Sequence, residues 1–313
     1  VQMDNGSPFY GVSVSDELWG STVATTTSDS DGDFSQTPLY LGVHSLTYSK
    51  SGYFDTNMEG LLETDGQTLI VDSVRLLPDN CTSGTMSGKI TNAVTGDNMS
   101  GVSLSYTIGL NKWSGFSYFG DTDTSGAWSL SVNQGWYTIK SVKSGYYYGY
   151  HNAFACGNQT KQNNSLRKNL NEGEMSIVLR WPKTNPVTAI DLDAHLSIPD
   201  NDSTGTFHLW NGAQSGKDYY IYGANDNVTL DRDTTSAPGT ETITITQVRS
   251  GTYSYSVHDY TNKSNSSSTK LAQSGASVNV YHNNTTTTYN VPNSAGTLWR
   301  VFTFTTSGGL STT

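Results

Sequence analysis

Charge is scarce in this sequence: Asp, Glu, Lys and Arg make up 14% of its 313 residues, against roughly a quarter in an average soluble domain. What charge there is leans acidic, 27 carboxylates against 17 Lys and Arg, a net of −10. A basic footprint that would displace counterions from phosphates is missing, which argues against a nucleic-acid partner. No apolar run is long enough to span a bilayer, so no membrane span is expected. No signal peptide is recognisable either. The sequence opens on Val1, which implies that an upstream segment has been removed or is not covered. Cysteine occurs only at Cys81 and Cys156. In an extracellular setting the two predict one disulfide, worth about 4–5 kcal/mol by the chain-entropy argument; two buried free thiols are the alternative. Catalytic signatures are missing too: there is no Gly-x-Ser-x-Gly elbow, His-Glu-x-x-His, P-loop or dinucleotide fingerprint. Carboxylates abound, yet nothing singles out a glycosidase pair. The chain reads as a non-enzyme with no required cofactor.

Polarity comes instead from Ser, Thr, Asn, Gly and Tyr, with 31 glycines and 19 tyrosines. β-Branched Thr and aromatic Tyr suit a pleated, half-exposed surface, and Gly and Asn suit its turns. An all-β chain of two or three domains is expected.

An internal repeat organises the first half. Ser28-Asp29-Ser30-Asp31-Gly32-Asp33-Phe34 recurs as Thr122-Asp123-Thr124-Ser125-Gly126-Ala127-Trp128. Tyr48-Ser49-Lys50-Ser51-Gly52-Tyr53-Phe54 recurs as Ser141-Val142-Lys143-Ser144-Gly145-Tyr146-Tyr147. Ser73-Val74-Arg75-Leu76 returns as Ser165-Leu166-Arg167-Lys168, and the segment Gly6 to Val14 matches Gly96 to Leu104. Four segments in one order, at spacings of about 90–94 residues, indicate a duplicated module. Alternation at Val12/Val14, Val102/Leu104 and Trp128/Leu130/Val132 makes each module a set of short strands, hence a β-sandwich.

The pattern Gly-x-Pro-x-x-Gly-Val-x-Val, then Thr-Asp-x-x-Gly-x-aromatic, then a strand ending in Lys-x-Gly-Tyr resembles the carboxypeptidase regulatory-like family. That resemblance covers Val1–Pro78 and Ser87–Leu170. It implies transthyretin-like (Ig-like) sandwiches that serve as accessory, spacer or adhesive modules. Module one departs from the pattern at its start, where it has almost no counterpart of Gly88-Lys89-Ile90. Either coverage begins late, or the sandwich has an incomplete edge able to accept a strand from a neighbouring subunit.

After Leu170 the repeat stops. Glu172 to Pro182, Asp191-Leu192-Asp193-Ala194-His195-Leu196, Leu230 to Asp233, Pro238 to Ile243, Ser250 to Tyr260 and Trp299 to Phe304 follow in turn. This order resembles the YfaP-like family of bacterial surface proteins from Gly173 to Thr305, which implies an extracellular β-sandwich-type domain. The expected layout is 1–79, 80–170 and 171–306, with 307–313 as a flexible tail or docking end.

Five carboxylates from three segments, Asp191, Asp193, Asp231, Asp233 and Glu241, are the candidate ligands of a structural calcium ion. On strands, residues two apart share a face, and calcium takes several hard oxygens. The alternative is that these aspartates cap turns. His195, His258 and Asp259 suggest zinc only weakly, since lone histidines on strands are more often structural. Trp113, Tyr118, Tyr146 and Tyr147 are the candidate ligand surface, suited to sugar stacking or a protein interface. Glycosylation sequons stand at Asn80, Asn98, Asn158, Asn163, Asn201, Asn227, Asn262 and Asn283, and further ones at Asn5, Asn265 and Asn284. The expected function is an extracellular structural or adhesive surface protein that self-associates, as in a filament, or contacts a surface glycan or protein. The alternative is a carbohydrate-binding module array of a secreted enzyme.

Overall fold

A computed structural model of the chain describes every residue except 4–6, 38, 64, 70, 72–73, 183–189, 201–204, 212–226 and 313. The chain is all-β, with several antiparallel sheets. It divides into two compact units. One gathers Val1–Thr91 and Asn98–Leu166; the other holds most of the chain from Arg167 on, with Asn92–Asp97. Among the described residues no helix is long and apolar enough to cross a membrane.

In the first unit β1 (Ser13–Leu18), β2 (Ser21–Thr27), β3 (Gly42–Ser49) and β4 (Thr56–Leu62) form one antiparallel sheet in the order β2-β1-β3-β4. Period-two alternation sends Val14, Asp16 and Leu18 inward from β1, and His44, Leu46 and Tyr48 inward from β3. Next come β5 (Gly84–Asn92), β6 (Ser103–Ile108), β7 (Ser117–Asp121), β8 (Ala127–Val132), β9 (Gly135–Val142), β10 (Gly149–Ala155) and β11 (Asn164–Leu166). They build two sheets, β10-β9-β6-β7 and β11-β5-β8, around a core that includes Met86, Ile90, Val102, Leu104, Trp128 and Ile139.

The repeat appears in three dimensions as a shared set of hydrogen bonds. Ser28 Oγ accepts from the Val12 amide at 3.0 Å and donates to Phe9 O at 2.5 Å. Thr122 Oγ1 does the same with Val102 N at 3.0 Å and Met99 O at 2.6 Å. Asp29 Oδ1 accepts the amides of Asp31 and Asp33, and Asp123 Oδ1 those of Ser125 and Ala127. The acidic turn of module one is thus a side-chain-capped turn. Its glycine is forced: Gly32 and Gly126 both have positive φ (77° and 70°), and a Cβ there would meet Val1 O at 2.3 Å or Ile90 O at 2.7 Å. Lys50 and Lys143 close the same loop by donating to Gly11 O and Gly101 O.

Among the described residues module one forms no regular second sheet. Phe9 N donates to Val1 O as Met99 N does to Ile90 O, so Val1 stands where Ile90 stands. In module two β8 pairs with Gly84–Lys89. Residues 33–37, the counterparts of β8, form no strand. The described residues before Val14 nevertheless bond inside their own module. Gln2 N donates to Val74 O and Leu76 N to Gln2 O, and Met3 N donates to Ser7 O.

Module one completes its core with module two. Phe9, Val12, Val14, Tyr48, Met58, Leu76 and Leu77 cluster with Leu110, Trp136 and Phe154. The indole of Trp136 donates to Arg75 O at 2.7 Å. Leu110 lies beside Met58 in a parallel bridge, its amide donating to Asn57 O. Lys112 pairs with Glu59 at 3.0 Å. Cys81 and Cys156, 75 residues apart in sequence, are joined beside this cluster.

The second unit is a sandwich of two five-stranded antiparallel sheets. Its strands are β12 (Met175–Trp181), β13 (Leu192–Pro199), β14 (Thr206–Leu209), β15 (Val228–Arg232), β16 (Gly239–Ile245), β17 (Thr252–Asp259), β18 (Ser277–His282), β19 (Thr285–Asn290), β20 (Leu298–Thr305) and β21 (Gly309–Thr312). The orders are β15-β16-β12-β18-β19 and β14-β13-β17-β20-β21. Ile177, Leu179 and Trp181 of β12 meet Leu192 and Leu196 of β13, Tyr253 and Tyr255 of β17, and Phe302 of β20. Trp181 is fully buried because Gly239, opposite it in register, leaves room for the indole; a Cβ there would sit 2.0 Å from the ring. The expected flexible tail is instead β21. Leu310 pairs with Phe304, and its side chain joins the core, which fixes the last strand.

Candidate metal centre

The candidate calcium ligands separate in space. Asp193 on β13, Asp233 just after β15 and Glu241 on β16 bring their carboxylate oxygens within 4.8 Å of one another. The reason lies in the sheet edge. β14 flanks β13 only from Leu196 to Pro199, and Glu241 of the facing sheet accepts the Ala194 amide at 2.6 Å. Glu241 is wholly buried, and its Oε1 and Asp233 Oδ1 have no hydrogen-bond partner among the described residues. Burial, with Asp233 beside it, holds the Glu241 carboxyl well above the usual range. Burial and the charges of Asp191 and Asp233 push Asp193 up to about 7. Asp191 is half-buried nearby, raised by burial and by Asp233 and Asp259.

Asp231 is not part of this cluster. A bulge between Leu230 and Arg232 adds one residue to β15, so Asp231 and Asp233 no longer share a face. Asp231 accepts instead from the Thr244 hydroxyl. Asp259, grouped with His195 and His258 on sequence, is a buried cap that accepts the amide and the side-chain NH2 of Asn262.

A second group adjoins the first. Asp193 lies opposite His258 in the β13–β17 register, and His195 is the next residue on the same face of β13. Donor atoms of Asp193, His195 and His258 are within 4.8 Å of one another. His208 on β14, which the sequence reading left out, places Nε2 2.9 Å from His195 Nδ1. Trp210 stacks on His195 with centroids 5.5 Å apart and planes at 14°. Burial, with His208 and His258 nearby, brings His195 down to about 4, so it is neutral at physiological pH. Burial lowers His208 and His258 as well.

The candidate ligand surface is redistributed. Trp113 and Tyr118 are exposed. Tyr146 packs against the module-two core and Tyr147 is half-buried. Tyr148 and Tyr150 are the exposed members of that run, and with Phe116 they surround the Lys140 ammonium at 4.7, 5.9 and 5.8 Å. Among the sequons, Asn80, Asn98, Asn158 and Asn283 are exposed and Asn163 and Asn227 half-buried, while Asn201 lies outside the described residues. Asn262 is half-buried, with its NH2 group held by Asp259 at 2.9 and 3.0 Å.

No family model and no curated protein matches the chain. Among solved structures, the shaft pilin spaA from Lactobacillus rhamnosus GG is similar at 14% identity over 52% of this chain and 89% of that one, with a TM-score of 0.22. GBS52, a minor pilin of Streptococcus agalactiae, is similar at 14% identity over 53% of this chain and 86% of that one, TM-score 0.23. The Bacillus anthracis TIE protein is similar at 11% identity over 94% of this chain and 47% of that one, TM-score 0.22. Scores this low transfer neither fold nor function to this chain.

Proposed function

We propose that the chain is an extracellular structural protein, a segment of a surface stalk or filament, and not an enzyme. The observation that carries this reading is the junction in the first unit. Trp136, Leu110 and Phe154 of the second module complete the apolar core of the first, and the Cys81–Cys156 disulfide lies in the same cluster. Fusing the two modules removes the hinge expected between tandem domains joined by a bare linker, and a disulfide suits an oxidising compartment. The modules are of the carboxypeptidase regulatory-like kind and the last domain of the YfaP-like kind in this reading. Antibody labelling of intact cells in the electron microscope tests it. Label on stalks or filaments outside the cell supports the reading; label confined to the cytoplasm overturns it.

A second reading, glycan binding, draws on the exposed Tyr148 and Tyr150 around Lys140 with Trp113 on the same module. Glycan-array binding lost in Tyr148→Ala supports it; an array with no binding removes it. Calcium belongs to the structural reading, at Asp193, Asp233 and Glu241 with Asp191 adjacent. A cation would neutralise carboxylates that otherwise repel one another in a buried corner. A lower melting temperature on chelation supports this site, and an unchanged one contradicts it.

A further inference from the structure

We propose that Asp193, His195 and His258 form a binding site for a divalent transition ion of the zinc class. Strand pairing builds the site. Asp193 and His258 face each other across β13 and β17, and His195 follows on the same face of β13. Their donor atoms already lie within 4.8 Å of one another. Around a tetrahedral zinc, ligand atoms stand about 3.4 Å apart, a distance that modest side-chain rotation reaches.

His195 supplies the independent observation. Its Nδ1 is engaged by His208 Nε2 at 2.9 Å. Its Nε2 is buried with no hydrogen-bond partner among the described residues. A ligating imidazole is usually held this way, one nitrogen fixed by an outer partner and the other left to the metal. Stacking on Trp210 and on His208, with centroids 5.5 and 5.0 Å away, fixes the plane of the ring. His208 and Trp210 are therefore positioning residues, and Asp193, His195 and His258 are the ligands.

The donor set selects the ion. Two imidazole nitrogens and one carboxylate oxygen suit zinc and its neighbours, whereas calcium and magnesium favour oxygen alone. Three protein ligands leave one position for water or for a donor from a bound molecule. The site meets the acidic corner at Asp193, yet needs neither Asp233 nor Glu241.

Titration of the metal-free chain with zinc, followed by calorimetry, tests the proposal. The expected result is one zinc per chain, lost in His195→Ala and in His258→Gln, and weakened about 10–100-fold in His208→Ala. Near-ultraviolet circular dichroism verifies that each variant is folded. Cobalt added to the parent protein gives a readout that needs no variant, because nitrogen ligation produces visible d–d bands. Absence of stoichiometric zinc binding overturns the proposal. So does binding that survives both histidine substitutions but is lost in Glu241→Gln, which would place the ion in the acidic corner.

Discussion

Modules one and two share a hydrogen-bond frame but not a way of closing it. Ser28 and Thr122, Asp29 and Asp123, and Lys50 and Lys143 repeat the same turns almost atom for atom. The interiors diverge. In module two a three-stranded sheet, β11-β5-β8, covers the core. In module one the same place holds isolated bridges and residues 33–37 without a strand, and the core is finished by side chains of its neighbour. The matched positions make this plain. Trp136 is buried in the shared cluster, whereas its counterpart Val43 is 48% exposed. Asp16 and His44 form a buried hydrogen-bonded pair at 2.8 Å where module two has the rings of Tyr106 and Tyr137, 5.9 Å apart. Duplication preserved the turns, which local chemistry dictates, and freed the faces to specialise.

Substitutions at matched positions sharpen this contrast. The largest effect is expected from the disulfide. Replacing Cys81 and Cys156 with Ala should lower unfolding stability by up to about 4–5 kcal/mol, read from denaturant midpoints. Trp136→Ala comes next, at about 3–5 kcal/mol, and should destabilise both modules together. Val43→Ala, at the equivalent position, should stay within about 0.5 kcal/mol. Equal effects at the two positions would break the comparison.

The buried pair follows. Asp16→Ala leaves the buried His44 Nδ1 without its partner and should cost about 1–3 kcal/mol. The double change Asp16→Tyr with His44→Tyr, which copies module two, should cost less than the sum of the single changes in a double-mutant cycle. Additive costs would show that the pair does not act as a unit. The smallest contrast belongs to the shared frame. Ser28→Ala and Thr122→Val each leave one buried amide without its acceptor, so each should cost about 1–3 kcal/mol, and by similar amounts. A large difference between them would mean that the frame is not equivalent in the two copies.

Much of the fold was legible because it is local. Alternating apolar residues marked the strands, and Thr-Asp-x-x-Gly marked a turn whose glycine and aspartate have fixed jobs. What sequence could not convey was pairing over distance. Asp231 and Asp233 share a face on an ideal strand, and a single bulge in β15 sent them to opposite sides. Asp193 and His258 meet only because β13 and β17 pair in one register, which no spacing announces. His208 carried no signal of its own, since its role depends on β14 pairing with β13. Leu310 was read as tail because a strand this short is recognised only by its ladder with β20, although Gly308-Gly309 is an ordinary hairpin signal.

The central claim is that the first module's core depends on side chains of the second. Hydrogen exchange followed by mass spectrometry at rising denaturant concentration tests it most directly. Peptides covering β3 (Gly42–Ser49) and β9 (Gly135–Val142) should lose protection at the same opening free energy, as members of one cooperative unit. If β3 opens several kcal/mol before β9 while β9 keeps its full protection, the modules fold independently and the shared core does not bind them together.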